Sequence, residues 1–190
     1  MALTSDSSIL YSLDARASQF TVQAFAEGIS GIADHRPRFL ISDFSGKALW
    51  NQARVQASSF DLTIKASSLS LIDDVSENDR RQINRALFEE VLESSRFPDI
   101  NFRTSQVTAA SVAEKRYRIQ VSGALTLHGV SCPHSVEAQV LFGDGSFRAY
   151  GEFRLSQIKH DIKIASVAGG LVCLKDELKF SFYIIGRQQR

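Results

Sequence analysis

The sequence predicts a mainly β, single-domain protein of antiparallel strands accompanied by one main α-helix. From Tyr117 to Phe142, apolar and polar residues alternate along two arms that are separated by a short break. Such alternation is typical of strands with one buried face, so the stretch predicts a β-hairpin. Between Ser76 and Ser95 the apolar residues instead recur at helical spacing. Because neither a Pro-, Gly- or Ser-rich linker nor an internal repeat divides the sequence, we expect one domain over residues 1–190.

Several strands are predicted before the helical segment. Alternating apolar residues indicate two strands near the start of the chain, two more separated by Ser45-Gly46, and a fifth that leads towards the helix. These five predicted strands cover residues 9–15, 20–26, 37–44, 48–57 and 60–66. A turn is expected between the second and third of them, where residues 28–35 contain two glycines.

The helix is indicated by its spacing and by its two ends. Its apolar residues recur every four positions, as on one face of an amphipathic helix: Ile83, Leu87 and Val91. Ser76 followed by Asp79 resembles a capping box in which Asp replaces the usual Glu, which predicts the first turn. Pro98 disfavours helical geometry at Phe97, so the helix is expected to end before it. One helix among many strands can cover one side or one end of a curved sheet.

Further apolar alternation follows the helix. Beside the hairpin, the predicted strands cover residues 100–104, 147–155 and 178–184. Eight or more antiparallel strands with one apolar face can form either a sandwich or a closed barrel. A barrel of about eight strands is either just filled by its side chains or leaves room for one small ligand.

Charge and composition argue against several functions. The chain carries 22 Lys plus Arg against 21 Asp plus Glu, a net charge of +1. No basic excess exists to release counterions from nucleic acid, so we expect no nucleic-acid partner. No apolar run approaches the roughly 20 residues of a spanning helix, so no transmembrane segment is expected. The N-terminal residues lack the pattern of a secretory signal, and the two cysteines are expected to be reduced thiols of a soluble cytoplasmic protein.

The residues that could bind a metal or carry redox chemistry lie in the hairpin. His128, Cys132 and His134 combine imidazole and thiol groups, which can hold zinc. A structural zinc site normally needs four ligands, and no further pair completes this set. No nucleophile elbow, phosphate loop, dinucleotide fingerprint or HExxH motif occurs. We predict no catalytic residue, no metal and no cofactor, with a thiol- or metal-dependent enzyme as the alternative.

Several motifs match one known family in order along the chain. Residues 121–130, VSGALTLHGV, are similar to a Gly-x-Leu-Thr-x-His-Gly-Val signature. Residues 97–102, FPDINF, with Ser105 are similar to an aromatic-Pro-x-Ile-x-Phe-x-Ser segment that follows a helix. Weaker matches are Asp14, Ser18, Phe20, His35, Gly46, Gly169, Gly170 and residues 175–178. The chain resembles the YceI-like family of bacterial lipocalin-like barrels, which bind polyisoprenoids or related amphiphiles. The resemblance implies a single antiparallel lipocalin-like β-barrel of about eight strands with one main α-helix.

One segment departs from the family pattern. Many members carry Asp-Phe-Gly-Ile after the strand that contains Phe153, whereas residues 159–162 read Lys-His-Asp-Ile here. Since a glycine is replaced, the local backbone and the rim of the pocket are where we expect this chain to differ from its relatives.

The resemblance also implies a function and a site. The barrel would bind, transport or store an isoprenoid, a fatty acid or a similar long-chain lipid without catalysis. The predicted pocket residues are Phe39, Ile41, Phe102, Leu125, Leu127, Phe153, Leu155, Phe180 and Phe182. The candidates for meeting a polar or anionic head group are His35, Arg36, Arg38, Lys159, His160 and Lys163. Two alternatives stay open: a filled barrel that acts as a protein-interaction module, and ordinary solvated surface for the basic residues. A homodimer also stays open.

Overall fold

The computed structural model describes residues 8–28, 36–164, 166–167 and 172–189, which form twelve β-strands and one main helix. The first six strands are β1 (Ile9–Leu13), β2 (Gln19–Gly28), β3 (Arg38–Ile41), β4 (Phe44–Trp50), β5 (Ser59–Lys65) and β6 (Leu69–Leu71). The remaining strands are β7 (Asp99–Ala113), β8 (Arg116–Leu127), β9 (Val130–Gly143), β10 (Ser146–Ser156), β11 (Ser166–Val167) and β12 (Val172–Gln188). The helix consists of α1 (Glu77–Arg85) and a π-helical continuation (Ala86–Val91). Within the described ranges, no helix is long and apolar enough to cross a membrane.

Eight of the strands close into a barrel. They are hydrogen-bonded in the order β1-β4-β5-β7-β8-β9-β10-β12, and every pairing is antiparallel. Strand β12 pairs with β1 from Gly186 to Gln188, which closes the ring. The prediction of an antiparallel barrel of about eight strands with one main helix is confirmed, and the sandwich left open by the alternation is excluded.

Three further strands extend the barrel wall at one end. Strand β2 pairs with β12 beyond the stretch that pairs with β1, and β3 and β6 continue from β2. A 3₁₀ turn at Ala15–Ala17 separates β1 from β2. Each of the segments β1-β2, β3-β4 and β5-β6 therefore runs along the barrel wall with one short interruption between its two strands. We call the end where β6 ends and β7 begins the helix end, because the helix connects these two strands.

The third and fourth predicted strands have different boundaries in the structure. The chain leaves the sheet at Ser42 and Asp43, and Ser45-Gly46 lies inside β4 rather than between two strands. A Cβ atom at position 46 would clash with the carbonyl oxygen of Asp61 on β5 and lie 2.9 Å from Leu13 Cδ1. Gly46 is thus required by the close approach of two strands and not by a turn, which is why its sequence signal was misleading.

The helix begins and ends as the sequence predicts. The Ser76 hydroxyl oxygen accepts a hydrogen bond from the Asp79 amide at 3.1 Å, and donates to the Asp79 carboxylate at 2.6 Å. This is an N-cap, although the carboxylate bonds the Ser76 hydroxyl rather than the Ser76 amide of a standard capping box. The amide of Leu92 donates to the Leu87 carbonyl, five residues earlier, which makes the last turns π-helical. The helix ends before Pro98.

Aromatic side chains close the barrel at the end opposite the helix, which we call the closed end. Trp50 at the end of β4 stacks on Phe142 with 4.9 Å between ring centroids. Tyr117 contacts the same two rings, and Tyr11 packs edge-on against Phe147 at 5.3 Å. Because strands β4, β8, β9 and β10 each contribute to this layer, a ligand cannot pass through it without displacing several packed rings.

The ionisation of Asp14 makes the stability of the ring closure between β1 and β12 depend on pH. Its carboxylate accepts hydrogen bonds from the Arg187 Nε at 2.6 Å and from the Ala17 amide at 3.1 Å, and these bonds lower the pKa of Asp14 below the ordinary 3.8. A lowered folded-state pKa means that the charged carboxylate stabilises the fold above pH 3.8, and that this contribution is lost as the pH falls through the folded-state value.

We therefore expect Asp14→Asn to lower the free energy of unfolding at neutral pH, and the difference from wild type to shrink as the pH falls below 3.8. Urea denaturation at a series of pH values measures this difference. A difference that stays constant down to the acid limb would contradict the assigned role of Asp14.

Candidate functional site

The barrel is hollow. Its inward-facing side chains leave a cavity of about 1180 Å³, which exceeds the roughly 300–1,000 Å³ of ordinary small-molecule pockets. Most of the lining consists of aliphatic and aromatic side chains from the barrel strands and the helix. The alternative of a dry, filled core therefore does not describe this barrel.

All nine sequence-predicted pocket residues line the cavity: Phe39, Ile41, Phe102, Leu125, Leu127, Phe153, Leu155, Phe180 and Phe182. Five of them are buried against other side chains, namely Phe39, Ile41, Phe102, Leu127 and Leu155. The other four are half-buried, since part of their surface faces the open interior. Their placement is thus established, whereas their contact with a ligand stays a prediction.

A group of phenylalanines forms one wall of the cavity. Phe153 on β10 lies directly across from Phe180 on β12, and the two rings stack in parallel with centroids 4.7 Å apart. Phe20 on β2 packs edge-on against Phe180 at 6.1 Å and against Phe182 at 6.3 Å. Cross-strand register therefore turns the apolar alternation seen in the sequence into a continuous aromatic surface.

Two sets of residues that line the cavity were not predicted from the sequence. One is the apolar face of the helix, and the other is the aromatic layer at the closed end. These residues include Ile83, Leu87, Val91, Trp50, Phe142 and Phe147. The helical stripe was visible, but a sequence does not say which surface a helix covers. Here the Arg80 guanidinium donates to the carbonyls of Leu71 at 2.6 Å and Asp73 at 3.0 Å, which fixes the helix beside the end of β6.

Charged side chains line the cavity at the helix end, in contrast to the apolar interior. These residues are Arg36, Asp73, Asp74, Asp79, Arg85 and Glu90. All of them except Asp73 are exposed. Since exposed charged groups border the cavity here and an aromatic layer closes the other end, the mouth of the cavity lies at the helix end.

The first group of predicted head-group residues lies near this mouth. His35 is outside the described residues, and Arg36 lines the cavity. Arg38 is engaged elsewhere: its amide and its guanidinium Nε donate to the two carboxylate oxygens of Asp73, at 2.7 Å and 3.2 Å. It is absent from the described lining of the cavity.

The second predicted group lies at the helix end, where Lys159 and His160 belong to a 3₁₀ turn (Ile158–His160) and Lys163 follows it. Among the described lining residues none of these three occurs, whereas Ile162 between them does. His160 is 1% exposed, and its Nδ1 lies 3.1 Å from the Val130 carbonyl oxygen. The imidazole therefore packs the turn against β9. A head-group role for these basic residues stays a prediction.

The departure from the family pattern falls in this same turn. Asp161 occupies the place of the family glycine and has φ +56°, in the left-handed region that glycine adopts most readily. Asp tolerates this region better than most residues, so the turn is retained without the glycine. Ile162 follows it and remains 3% exposed at the cavity.

The three hairpin residues considered for a metal have separate partners. His128 Nε2 lies 3.2 Å from Glu93 Oε1, and its ring packs on Phe97 at 4.5 Å. Cys132 Sγ donates to the Lys159 carbonyl oxygen at 3.2 Å. Over the described ranges, His, Cys, Asp and Glu side chains form no group of three that could hold a metal ion.

His134 instead belongs to the cavity wall. It lines the cavity and packs edge-on against Phe153, with ring centroids 5.2 Å apart. Burial, together with the nearby His160 and Lys159, lowers the pKa of His134 below its ordinary value. The neutral imidazole is therefore the favoured form at neutral pH, which is compatible with an apolar neighbourhood.

Glu93 anchors the end of the helix to the hairpin of β8 and β9. Burial by itself would raise the pKa of Glu93, but hydrogen bonds from His128 and Arg96 lower it below the ordinary value. The charged carboxylate thus holds His128 and Arg96 together at neutral pH. This contact fixes the C-terminal end of the helix over the cavity, as Arg80 fixes its N-terminal part.

A comparison with protein-family models decides the family. The model of the YceI-like domain matches residues 11–184. The chain belongs to the YceI-like family. The match runs from within β1 to within β12 and includes the helix and the six other strands of the ring, so the family resemblance inferred from the motifs is confirmed. No curated protein sequence matches the chain.

Solved structures of three bacterial proteins are similar to this fold. BcnA from Burkholderia cenocepacia superimposes with a TM-score of 0.70 at 16% identity, covering 91% of this chain and 98% of that one. A polyisoprenoid-binding domain from Saccharophagus degradans gives 0.65 at 13% identity, with 95% and 99% covered. The YceI protein of Campylobacter jejuni gives 0.56 at 13% identity, with 79% and 83% covered. At these identities the likeness establishes the barrel fold.

Proposed function

We propose that this YceI-like barrel binds an isoprenoid or another long-chain amphiphile in its cavity, as a non-catalytic carrier or store. The observation that carries the proposal is the apolar cavity of about 1180 Å³, closed by aromatic rings at one end and bordered by charged residues at the other. Such a shape suits a ligand with one long apolar part and one polar end. The polyisoprenoid-binding domain that shares the fold supports the same class of ligand.

The energetics assign different tasks to the tail and the head of such a ligand. Each buried CH₂ contributes about 0.8 kcal/mol, so a tail that buries ten of them gains roughly 8 kcal/mol before association costs. That gross gain corresponds to roughly micromolar binding. One charge-assisted hydrogen bond adds about 1.5–3 kcal/mol. The cavity therefore sets the affinity, while the mouth sets orientation and selectivity.

Native mass spectrometry of the purified protein, followed by organic extraction, tests the proposal. We expect a stoichiometric long-chain amphiphile that survives detergent exchange and a change of expression host. Added prenyl or acyl chains are expected to alter the fluorescence of Trp50, the single tryptophan, which lies in the aromatic layer at the base of the cavity. A protein that is empty and also ignores added prenyl and acyl chains would refute the carrier function.

A further inference from the structure

We propose that the mouth of the cavity selects long-chain ligands with an uncharged polar head group, such as an alcohol, and discriminates against phosphate and diphosphate heads. This inference rests on the proposed function, because it specifies the ligand of the same cavity. It also narrows the expectation that the basic residues of the sequence meet a polar or anionic head group, because it excludes the anionic one.

Carboxylates outnumber cations in the described lining of the mouth. Among the described residues that line the cavity, four carry a carboxylate and two carry a guanidinium group. The acidic residues are Asp73, Asp74, Asp79 and Glu90, and the basic ones are Arg36 and Arg85. They surround the opening from the start of β3, the connection after β6, and one face of the helix.

The ion pairs at the mouth leave the acidic excess in place. Arg38 neutralises Asp73 at 3.1 Å, and Glu89 neutralises Arg85 at 3.0 Å. The Asp79 carboxylate accepts a hydrogen bond from the hydroxyl of Ser76, the N-cap of the helix, and forms no ion pair among the described residues. Asp74 and Glu90 form no ion pair within the described part of the chain. In the described lining, Arg36 is then the one guanidinium without an ion pair, against three such carboxylates, those of Asp74, Asp79 and Glu90. Arg80, outside that lining, donates its guanidinium hydrogen bonds to the carbonyl oxygens of Leu71 and Asp73.

The lysines at the same end of the barrel do not reverse this balance. Lys159 and Lys163 are exposed, and neither belongs to the described lining of the cavity. Burial by itself would raise the pKa of Asp176, but hydrogen bonds from Ser156 and from the backbone amides of Ile158 and Gln157, and to a smaller extent the charge of Lys159, lower it. Neither lysine therefore adds a cation to the described lining of the cavity.

The closed end of the cavity places the head group of a ligand that fills it among these carboxylates. The aromatic layer stops a tail at the closed end, so a ligand that fills the cavity from its base leaves its head at the mouth. A phosphate there would bring further negative charge beside Asp74 and Glu90. A hydroxyl group meets no such repulsion and can donate a hydrogen bond to a carboxylate oxygen.

Two ligands with the same tail test the inference. Geranylgeraniol and geranylgeranyl diphosphate are each titrated against the protein, with Trp50 fluorescence and displacement of an apolar dye as readouts. We expect the alcohol to bind at least about tenfold more tightly at low ionic strength. The difference is expected to shrink as added salt shortens the screening length to about 10 Å or less.

A pair of double variants localises the effect. We expect Asp74→Asn with Glu90→Gln to strengthen binding of the diphosphate several-fold and so to narrow the difference in affinity between the two ligands. The control, Glu77→Gln with Asp144→Asn, removes the same formal charge from exposed residues that are absent from the cavity lining, and is expected to change neither affinity.

Three outcomes would overturn the inference, and they differ in what else they affect. If the diphosphate binds wild-type protein as tightly as the alcohol, the selectivity is wrong but the lipid-binding function stands. The selectivity is likewise wrong, and the lipid-binding function stands, if the Asp74 and Glu90 double variant binds the diphosphate no more tightly than its control does. If neither ligand binds and no lipid is found on the purified protein, both the inference and the proposed function fail.

Discussion

Replacing Phe153 with Arg is expected to abolish binding of a long-chain ligand. Phe153 stacks on Phe180 at 4.7 Å and forms part of the cavity surface. A guanidinium group in this position would face apolar side chains and the neutral ring of His134 at 5.2 Å from the present Phe153 ring. An unpaired buried charge keeps water around itself, and a tail could fill the cavity only by stripping that water away. Leu125→Arg is expected to act in the same way.

The control for this substitution lies on the same strand. Tyr150 points outward and is 48% exposed, so Tyr150→Arg should leave the cavity and the affinity intact. Because a charge in the interior also risks unfolding, Ala138→Phe provides an uncharged second test: Ala138 lines the cavity, and a ring there fills part of it. Titration with a prenyl chain measures the binding affinity of all three variants. A folded, monodisperse Phe153→Arg protein that still binds tightly would refute the pocket assignment.

The barrel wall was predictable from the sequence because each strand carries its own signal. Alternation identifies the inward face, and inward residues of a barrel must line either a core or a cavity. This is why the predicted set from Phe39 to Phe182 lies on the cavity wall without exception. Alternation carries no information on volume, however, since the same residues could have interdigitated. Only the positions of the strands decided between a filled and a hollow interior.

The mouth was less predictable, because it depends on contacts between residues distant in sequence. Arg38 was expected to meet a ligand, yet Asp73, 35 residues later, binds its amide and guanidinium groups. Likewise, His160 looked like one of three neighbouring cations, but the fold buries it against Val130. In both cases an element on another part of the chain satisfies the basic group, and no local pattern announces that partner.

The glycines show the same division between local and distant causes. His128 and Gly129 have φ +52° and +75° at the turn between β8 and β9, which a local His-Gly motif can indicate. Gly123 in the same signature has a different reason. It faces Thr104 of β7 at the point where the register between the two strands shifts. A Cβ atom there would clash with the Arg103 carbonyl oxygen and lie 2.9 Å from Phe102 Cζ.

Gly123→Ala is therefore expected to destabilise the barrel strongly. The added methyl group would press on the backbone of β7 and on a buried ring of the cavity wall, and a backbone atom cannot move aside without disturbing the β7–β8 ladder. Overpacking of this kind costs about 1–3 kcal/mol, and we expect the upper end of that range. For a chain of this length, a loss of about 3 kcal/mol lowers the melting temperature by roughly 6–12 °C.

Gly143 supplies the matched control, because a Cβ atom there meets no atom within 4 Å. Gly143→Ala removes the same backbone freedom without a clash, so its melting temperature should lie within about 2 °C of wild type or slightly above it. Thermal denaturation followed by circular dichroism compares the two variants directly. Equal melting temperatures would mean that the strands can separate at Gly123 at little cost, and that the family signature Gly-x-Leu-Thr does not owe its glycine to the close approach of β7.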